Sequence, residues 1–297
     1  MATTQRNTLI MGSLTINGYA AKKKAKDVER TAENDAGAVS GSISARKALL
    51  PGADSLAAVT NYGSLCRNWW ATVSREWISS MRVYHAAKHF EIQTEVGDRQ
   101  REYYRLVDVF MADYPKLRAE AQFKLNNLFD PTEYPEPQDV RRKFRFDFET
   151  LPIPDGEDIR LIDGDLLSSD EVDRIVFEAE ARAQTRLAEA MKAAYGDLHE
   201  VVTKYITRLQ AKNDSEDIGA KKQASIHATV VTNILEVVEN MPGLNLAGDQ
   251  KLTKLTEQAK ELAGMFTVDE LKESRASRVL ATQKAEEIRK QFAGLFA

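Results

Sequence analysis

SSDEVDRIVFEAEARAQTRLAEAMKAAYGDLHEVVTKYITRLQAK, residues 168–212, is the stretch that decides the fold. It reads as one unbroken amphipathic helix. Its apolar positions are Val172, Val176, Ala179, Ala183, Leu187, Ala190, Ala194, Leu198, Val201, Tyr205 and Leu209. The steps between them run four, three, four and then repeat, so every eleventh residue returns to the same stripe. That repeat corresponds to about 3.67 residues per turn, close to a straight helix and slightly right-handed. At 1.5 Å per residue the helix is roughly 65–70 Å long. A stripe of that extent needs a long partner. The alanines Ala183, Ala190 and Ala194 would let a neighbouring backbone approach closely, with Leu187 and Leu198 filling the spaces between.

Working outward, the following sequence offers antiparallel cover. Asn213–Gly219 reads as a polar turn. Lys221–Met241 returns as a helix with Ile226, Val230, Ile234, Val237 and Val238 inward, and stops at Pro242-Gly243. Asp249 caps a shorter helix to about Phe266. Thr267 with Glu270 forms a capping-box pattern that opens a last helix to about Phe296.

Upstream, Phe144, Phe146 and Phe148 alternate with Arg145 and Asp147, a strand pattern. Pro152, Pro154 and Gly156 supply a turn, and Asp158–Ile162 the returning strand. Asp98–Phe129 is helical, with Pro115 expected to kink or divide it. Asp54 opens a helix to about Ser80 that carries Trp70 and Trp77 on one stripe. Met81–Val96 either continues that helix or becomes a strand at Phe90–Val96. Leu9–Tyr19 reads as a short strand, Ala20–Asn34 as a basic helix and Ala36–Gly52 as a loop.

The expectation is a mainly α chain: an elongated long-helix hairpin or coiled-coil-like bundle with a small antiparallel β element. Its segments would be residues 1–53, 54–130, 131–166 and 167–297.

The bulk numbers narrow the function classes. The chain has 297 residues, 29% of them charged, and a net charge of −4, so the whole molecule has no general attraction to nucleic acid or anionic membrane. One cysteine, Cys66, excludes an internal disulfide framework and fits a reducing compartment. No secretory leader and no apolar run long enough for a membrane helix is read.

Charge is uneven. Residues 1–50 hold eight cations against four acids, net +4; residues 149–174 hold two against nine, net −7. Lys22, Lys23, Lys24 and Lys26 form the basic pole, a possible assembly or nucleic-acid patch, and Asp163, Asp165, Asp170 and Asp173 the acidic one. Opposite poles could join neighbouring copies; they could equally pair within a chain or stand solvated, and carboxylates at a helix start favour its dipole in any case.

Candidate chemistry is thin. There is no GxxxxGKS/T loop, GxGxxG, HExxH or GxSxG. His85 and His89 would share a helix face and could offer two metal ligands, with Glu91, Asp98 or Glu102 as a third; ordinary surface or core histidines are commoner. Asp155, Glu157, Asp158, Asp163 and Asp165 miss EF-hand spacing, with Arg174 and Val176 at the twelfth positions. Arg67, Trp69, Trp70, Arg75 and Trp77 interleave bases with aromatics, as do Arg141, Arg142 and Lys143 with the phenylalanine strand, a pattern that can hold single strands. The simpler reading puts those rings in the core and the bases outside. Cys66 reads as a buried structural thiol.

The order of short motifs also resembles a family of mostly helical bacteriophage proteins known only as hypothetical. The matching residues are Leu49-Leu50-Pro51, Leu128-Phe129, Tyr134-Pro135, Phe144–Phe148 and Leu151-Pro152-Ile153-Pro154. Asp158–Ile162, Thr232-Asn233, Met241-Pro242-Gly243-Leu244-Asn245-Leu246 and Asp249 complete the order. The match runs from about residue 50 to the C-terminus and carries no catalytic residues. It implies a phage protein in the host cytoplasm. Some similar proteins are encoded near a MoxR-type ATPase and a von Willebrand A-type protein, which implies an adaptor role with an AAA-type ATPase partner.

The expected function is therefore a non-enzymatic, cofactor-free assembly protein that forms homo-oligomers through its long helices and charge poles. The rivals are a single-strand-binding or annealing protein of phage replication, and an inhibitor or adaptor of an ATPase or defence enzyme.

Overall fold

The computed structural model describes residues 8–153, 168–217 and 224–293. It is mostly helical with a small antiparallel sheet. The elements run β1 (Leu9–Asn17), β2 (Lys22–Lys24), α1 (Lys26–Ala36), β3 (Arg46–Ala48), α2 (Asp54–Val73), β4 (Arg75–Ile78), β5 (Met81–His85) and α3 (His89–Leu125). They continue with α4 (Pro137–Arg141), β6 (Arg145–Pro152), α5 (Ser169–Asp217), α6 (Thr229–Leu244), α7 (Gln250–Gly264), α8 (Val268–Glu273) and α9 (Arg275–Lys290). One sheet has strand order β4-β5-β1-β6, and β2 and β3 form a separate two-stranded ribbon. Among the described residues, no helix is long and apolar enough to cross a membrane.

The chain divides into two interleaved units. The first comprises Met1–Gly12, Ala71–Glu91 and Thr150–Ala297, and the second Ser13–Trp70 and Ile92–Glu149.

The first unit is built on α5. The expected stripe is real, and the chain covers its C-terminal half itself: Ala190, Ala194, Leu198, Val201, Tyr205 and Leu209 are all buried. The cover comes from three shorter helices, α6, α7 and α9, and not from one long returning arm. Capping chemistry explains why the return is broken. Asp249 caps α7 by accepting from the backbone N–H groups of Lys251 at 2.8 Å and Leu252 at 3.3 Å. Asn245 fixes the preceding corner, accepting from Asp249 N–H at 2.7 Å and donating to Asp249 C=O at 2.9 Å. Tyr195 of α5 donates to the Asp249 carboxylate at 2.8 Å, which ties this corner to the long helix.

The Thr267–Glu270 capping box forms as expected, but it opens only the six-residue α8. Ser274 then caps α9, so the single last helix expected from the sequence is two. Arg278 holds that break. It is 1% exposed and donates to the Leu271 and Lys272 carbonyls at 3.1 and 3.0 Å, to Asn213 Oδ1 at 2.6 Å, and to the Glu216 carboxylate. Leu9 and Met11 of β1, Trp77 of β4 and Val83 of β5 close the same core.

The second unit has an aromatic core along α3. Phe110 meets Phe144 and Tyr114 with ring centres 5.6 and 5.9 Å apart, and Tyr103 meets Phe146 at 5.6 Å. Phe144 and Phe146 are buried and Phe148 is half-buried, with Arg145 exposed between them, as strand alternation requires. Tyr103, Tyr114 and Tyr134 each donate a phenolic hydrogen bond to a backbone carbonyl, of Asn17, Pro135 and Leu49 respectively. Burial, with the neighbouring Tyr104, pushes the Tyr103 phenol up to about 12.

Several sequence expectations are corrected. The Asp54 helix ends at Val73, and Arg75–His85 is a β hairpin, so Trp70 and Trp77 lie on different elements and share no helical stripe. Phe90–Val96 is helix, not strand. Pro115 sits inside an undivided α3. Lys22–Lys24 is strand, and the helix that follows begins only at Lys26; Arg46–Ala48, expected as loop, pairs with it. The polar turn after the long helix is displaced, because α5 continues to Asp217. Pro154, Gly156, the strand Asp158–Ile162, and Asp163 and Asp165 lie outside the described residues.

Candidate functional site

Of the stripe residues, Ala190, Ala194 and Leu198 are interior and hold the chain's own helices. Ala183 and Leu187 sit at the edge of that core, partly covered. Farther toward the N-terminus of α5, Val176 is buried, Val172 half-buried and Ala179 exposed, while Phe177 projects with 73% of its surface accessible.

The histidine pair does not assemble. His85 ends β5 and caps the following turn, its Nδ1 accepting from the Ala87 N–H at 3.2 Å. His89 begins α3 and shares a 2.9 Å hydrogen bond with the Tyr84 hydroxyl, the two rings stacked nearly parallel. A strand end and a helix start cannot present the i, i+4 face that the metal reading needed. Among the described residues no group of three or more His, Cys, Asp or Glu side chains is placed to hold a metal ion.

The aromatic–basic cluster is likewise engaged internally. Arg99 lies over the Trp69 ring at 4.5 Å, and Trp70 meets Phe148 edge-on at 5.2 Å. Arg67 donates to the Ile16 carbonyl at 2.6 Å, and Arg75 pairs with Asp197. Cys66 is fully buried, and that burial raises its thiol pKa, which suits a structural thiol and opposes a nucleophile.

The first unit also has a polar cleft of about 420 Å³ between α5 and α6, lined by Arg75, Asp197, Glu200, Lys204, Asn233 and Glu236. Arg75 with Asp197 and Lys204 with Glu200 are ion pairs across or along it. Four of its charges are thus matched pairwise, and Glu236 adds a further carboxylate.

The lysines read from the sequence as a possible assembly or nucleic-acid patch lie on a strand ribbon that the sequence reading did not foresee. Lys22, Lys23 and Lys24 stand opposite Ala48, Lys47 and Arg46 in the antiparallel β2–β3 ribbon. The missed signal was the alternation of Arg46, Lys47 and Ala48 against the lysine run; glycine-rich flanks hid it as loop. Alternation places Lys22, Lys24 and Arg46 on one face and Lys23 and Lys47 on the other. Lys47 turns inward, held by Glu133 at 2.7 Å and the Leu128 carbonyl at 2.6 Å. Lys24 reaches Glu29 at 3.2 Å.

The two acids of α1 beside the ribbon are occupied. Glu29 accepts from the Ala45 N–H at 2.9 Å, a bond that lowers its pKa, and Glu33 accepts from Gly41 and Ile43 N–H at 2.7 and 3.2 Å. Lys22, Lys23, Lys26, Arg30 and Arg46 are exposed and form no ion pair among the described residues.

The second basic segment is split in its use. Arg141 pairs with Asp108 at 2.6 Å and Arg142 with Asp139 at 3.3 Å. Lys143 instead lies 5.3 Å from the centre of the Tyr19 ring, three residues before the ribbon. Of the acidic pole, Asp170 and Asp173 are exposed in the first turns of α5.

Comparison with protein families, with curated proteins and with solved structures finds no match.

Proposed function

We propose that this chain is a non-enzymatic assembly protein that self-associates through the N-terminal part of α5. One observation carries the reading. A single apolar stripe runs along α5; the chain's own helices bury its C-terminal half, while in its N-terminal half Val176 is buried, Val172, Ala183 and Leu187 are partly open and Ala179 is exposed, with Phe177 exposed beside them. The eleven-residue return keeps that face nearly straight, so the same face of a second copy can lie along it. Its small residues allow close backbone approach, and with Phe177 they make a contiguous apolar strip of the kind that marks a contact surface. The phage origin, host-cytoplasmic location and AAA-type ATPase partner belong to the same proposal and rest on the resemblance alone.

Native mass spectrometry of the purified chain tests it. A defined oligomer that Leu187→Glu with Phe177→Ser converts to monomer, without loss of helicity, supports the reading. A wild-type monomer at micromolar concentration overturns it.

A further inference from the structure

We propose that the β2–β3 ribbon, with the start of α1, binds the phosphodiester backbone of single-stranded nucleic acid without reading its sequence. This goes beyond the assembly reading and does not depend on it.

The ribbon is electrostatically unusual. Two of its three registered pairs set cation against cation, Lys23 opposite Lys47 and Lys24 opposite Arg46. Like charges directly opposite each other destabilise a strand pair. Internal carboxylates answer only part of this repulsion: Glu133 takes Lys47 and Glu29 takes Lys24. Lys22, Lys23 and Arg46 are left to solvent, and Lys26 and Arg30 follow on α1, four residues apart and so on one helix face. Lys26 also stands in the first turn of its helix, where the dipole disfavours a cation. A polyanion laid along the ribbon relieves all of these terms at once.

Geometry selects the occupant. Lys22 and Lys24 are two residues apart on one strand, which separates them by roughly 6.5–7 Å. That is close to the spacing of neighbouring phosphates along one extended strand. Lys22, Lys24 and Arg46 share one face of a ribbon only two strands wide, a footprint that fits one strand of phosphates. Among the described residues the nearby Tyr19 offers no stacking platform, since it is buried beneath Lys143. Binding is therefore to phosphate, strongly salt-dependent and indifferent to base.

The test is fluorescence anisotropy of the full-length chain with a labelled oligothymidylate of about 16 nucleotides, titrated from about 50 to 200 mM salt. Three to five backbone contacts give a log–log salt slope of about −2 to −3.5, hence a loss of roughly 20- to 100-fold over that range. The triple variant Lys22→Gln, Lys23→Gln, Arg46→Gln is expected to flatten the slope by about 2 and weaken binding about 100-fold at 0.1 M salt. A paired variant at Arg289 and Lys290, far along the sequence on α9, is expected to bind as wild type. Should the triple variant not fold, the three single variants each report a slope change of about 0.7.

No binding at 50 mM salt, or binding that none of these variants alters, overturns the proposal. So does tighter binding to phosphatidylserine vesicles than to the oligonucleotide. So does loss of self-association in the triple variant that Asp170→Lys with Asp173→Lys restores, which would assign the ribbon to an acidic face of a second copy.

Discussion

Replacing Arg278 with alanine removes one side chain that serves four acceptors. Among the described residues Arg278 is the largest fully buried side chain, and it pins the α8–α9 break to the end of α5. Alanine leaves the Leu271 and Lys272 carbonyls and Asn213 Oδ1 without their donor and opens a space the size of the arginine side chain. Removing one partner of a buried charged network costs about 3–5 kcal/mol. The low end applies here, because Glu216 is 27% exposed and keeps Lys212 at 3.1 Å as a second partner. For a cooperative unit of this size, about 3 kcal/mol lowers Tm by roughly 6–12 °C. Differential scanning calorimetry of wild type, Arg278→Ala, Glu216→Gln and the double variant reads both the loss and the coupling. Contacting residues of this kind couple by about 0.5–3 kcal/mol. A Tm drop below about 3 °C, or strict additivity in the cycle, would refute the claim that this arginine organises the C-terminal helices.

Other outcomes follow from single sites. Phe146→Ala should cost about 3–5 kcal/mol in urea unfolding, since the ring is fully buried against Tyr103; a near-neutral value would remove it from the core. Ala194→Glu, at a fully buried position of α5, should destabilise by several kcal/mol and broaden the near-ultraviolet circular dichroism change, whereas an unchanged melt would contradict burial by α6 and α9. Cys66 should resist a thiol reagent in the native state and react stoichiometrically once unfolded, because burial both shields it and disfavours its thiolate. Glu29 should titrate below an ordinary glutamate in carbon-detected NMR, chiefly through its bond from the Ala45 N–H. A lowered folded pKa stabilises above the ordinary glutamate value and is lost as pH falls through the lowered one. Amide exchange at Ala45 should accordingly accelerate only in that acid window, and Glu29→Gln should abolish the pH dependence.

What was legible in the sequence was whatever a segment announces through its own periodicity or its own caps. The α5 stripe, the Phe144–Phe146 alternation, the Asp249 cap and the Thr267–Glu270 box all appear as read. Each depends on residues within a few positions of one another, so local spacing carries the information. Partnership was not legible. Arg75–His85 has the apolar content of a helix continuation, and it becomes a hairpin because β1 supplies hydrogen bonds along Leu9–Gly12 from some seventy residues away in sequence. That choice separates His85 from His89 and disposes of the metal reading. The lysine run looked helical until Arg46–Ala48 paired with it, and pairing is what set Lys22, Lys24 and Arg46 together on one face and Lys23 with Lys47 on the other. The burial of half the α5 stripe by three short helices was equally hidden, since the break at Ser274 depends on Arg278 reaching Asn213 and Glu216 across more than sixty residues. Local periodicity settled which segments form elements; only tertiary pairing decided which surfaces those elements leave open, because exposure is a property of what packs against a residue and not of the residue's neighbours along the chain.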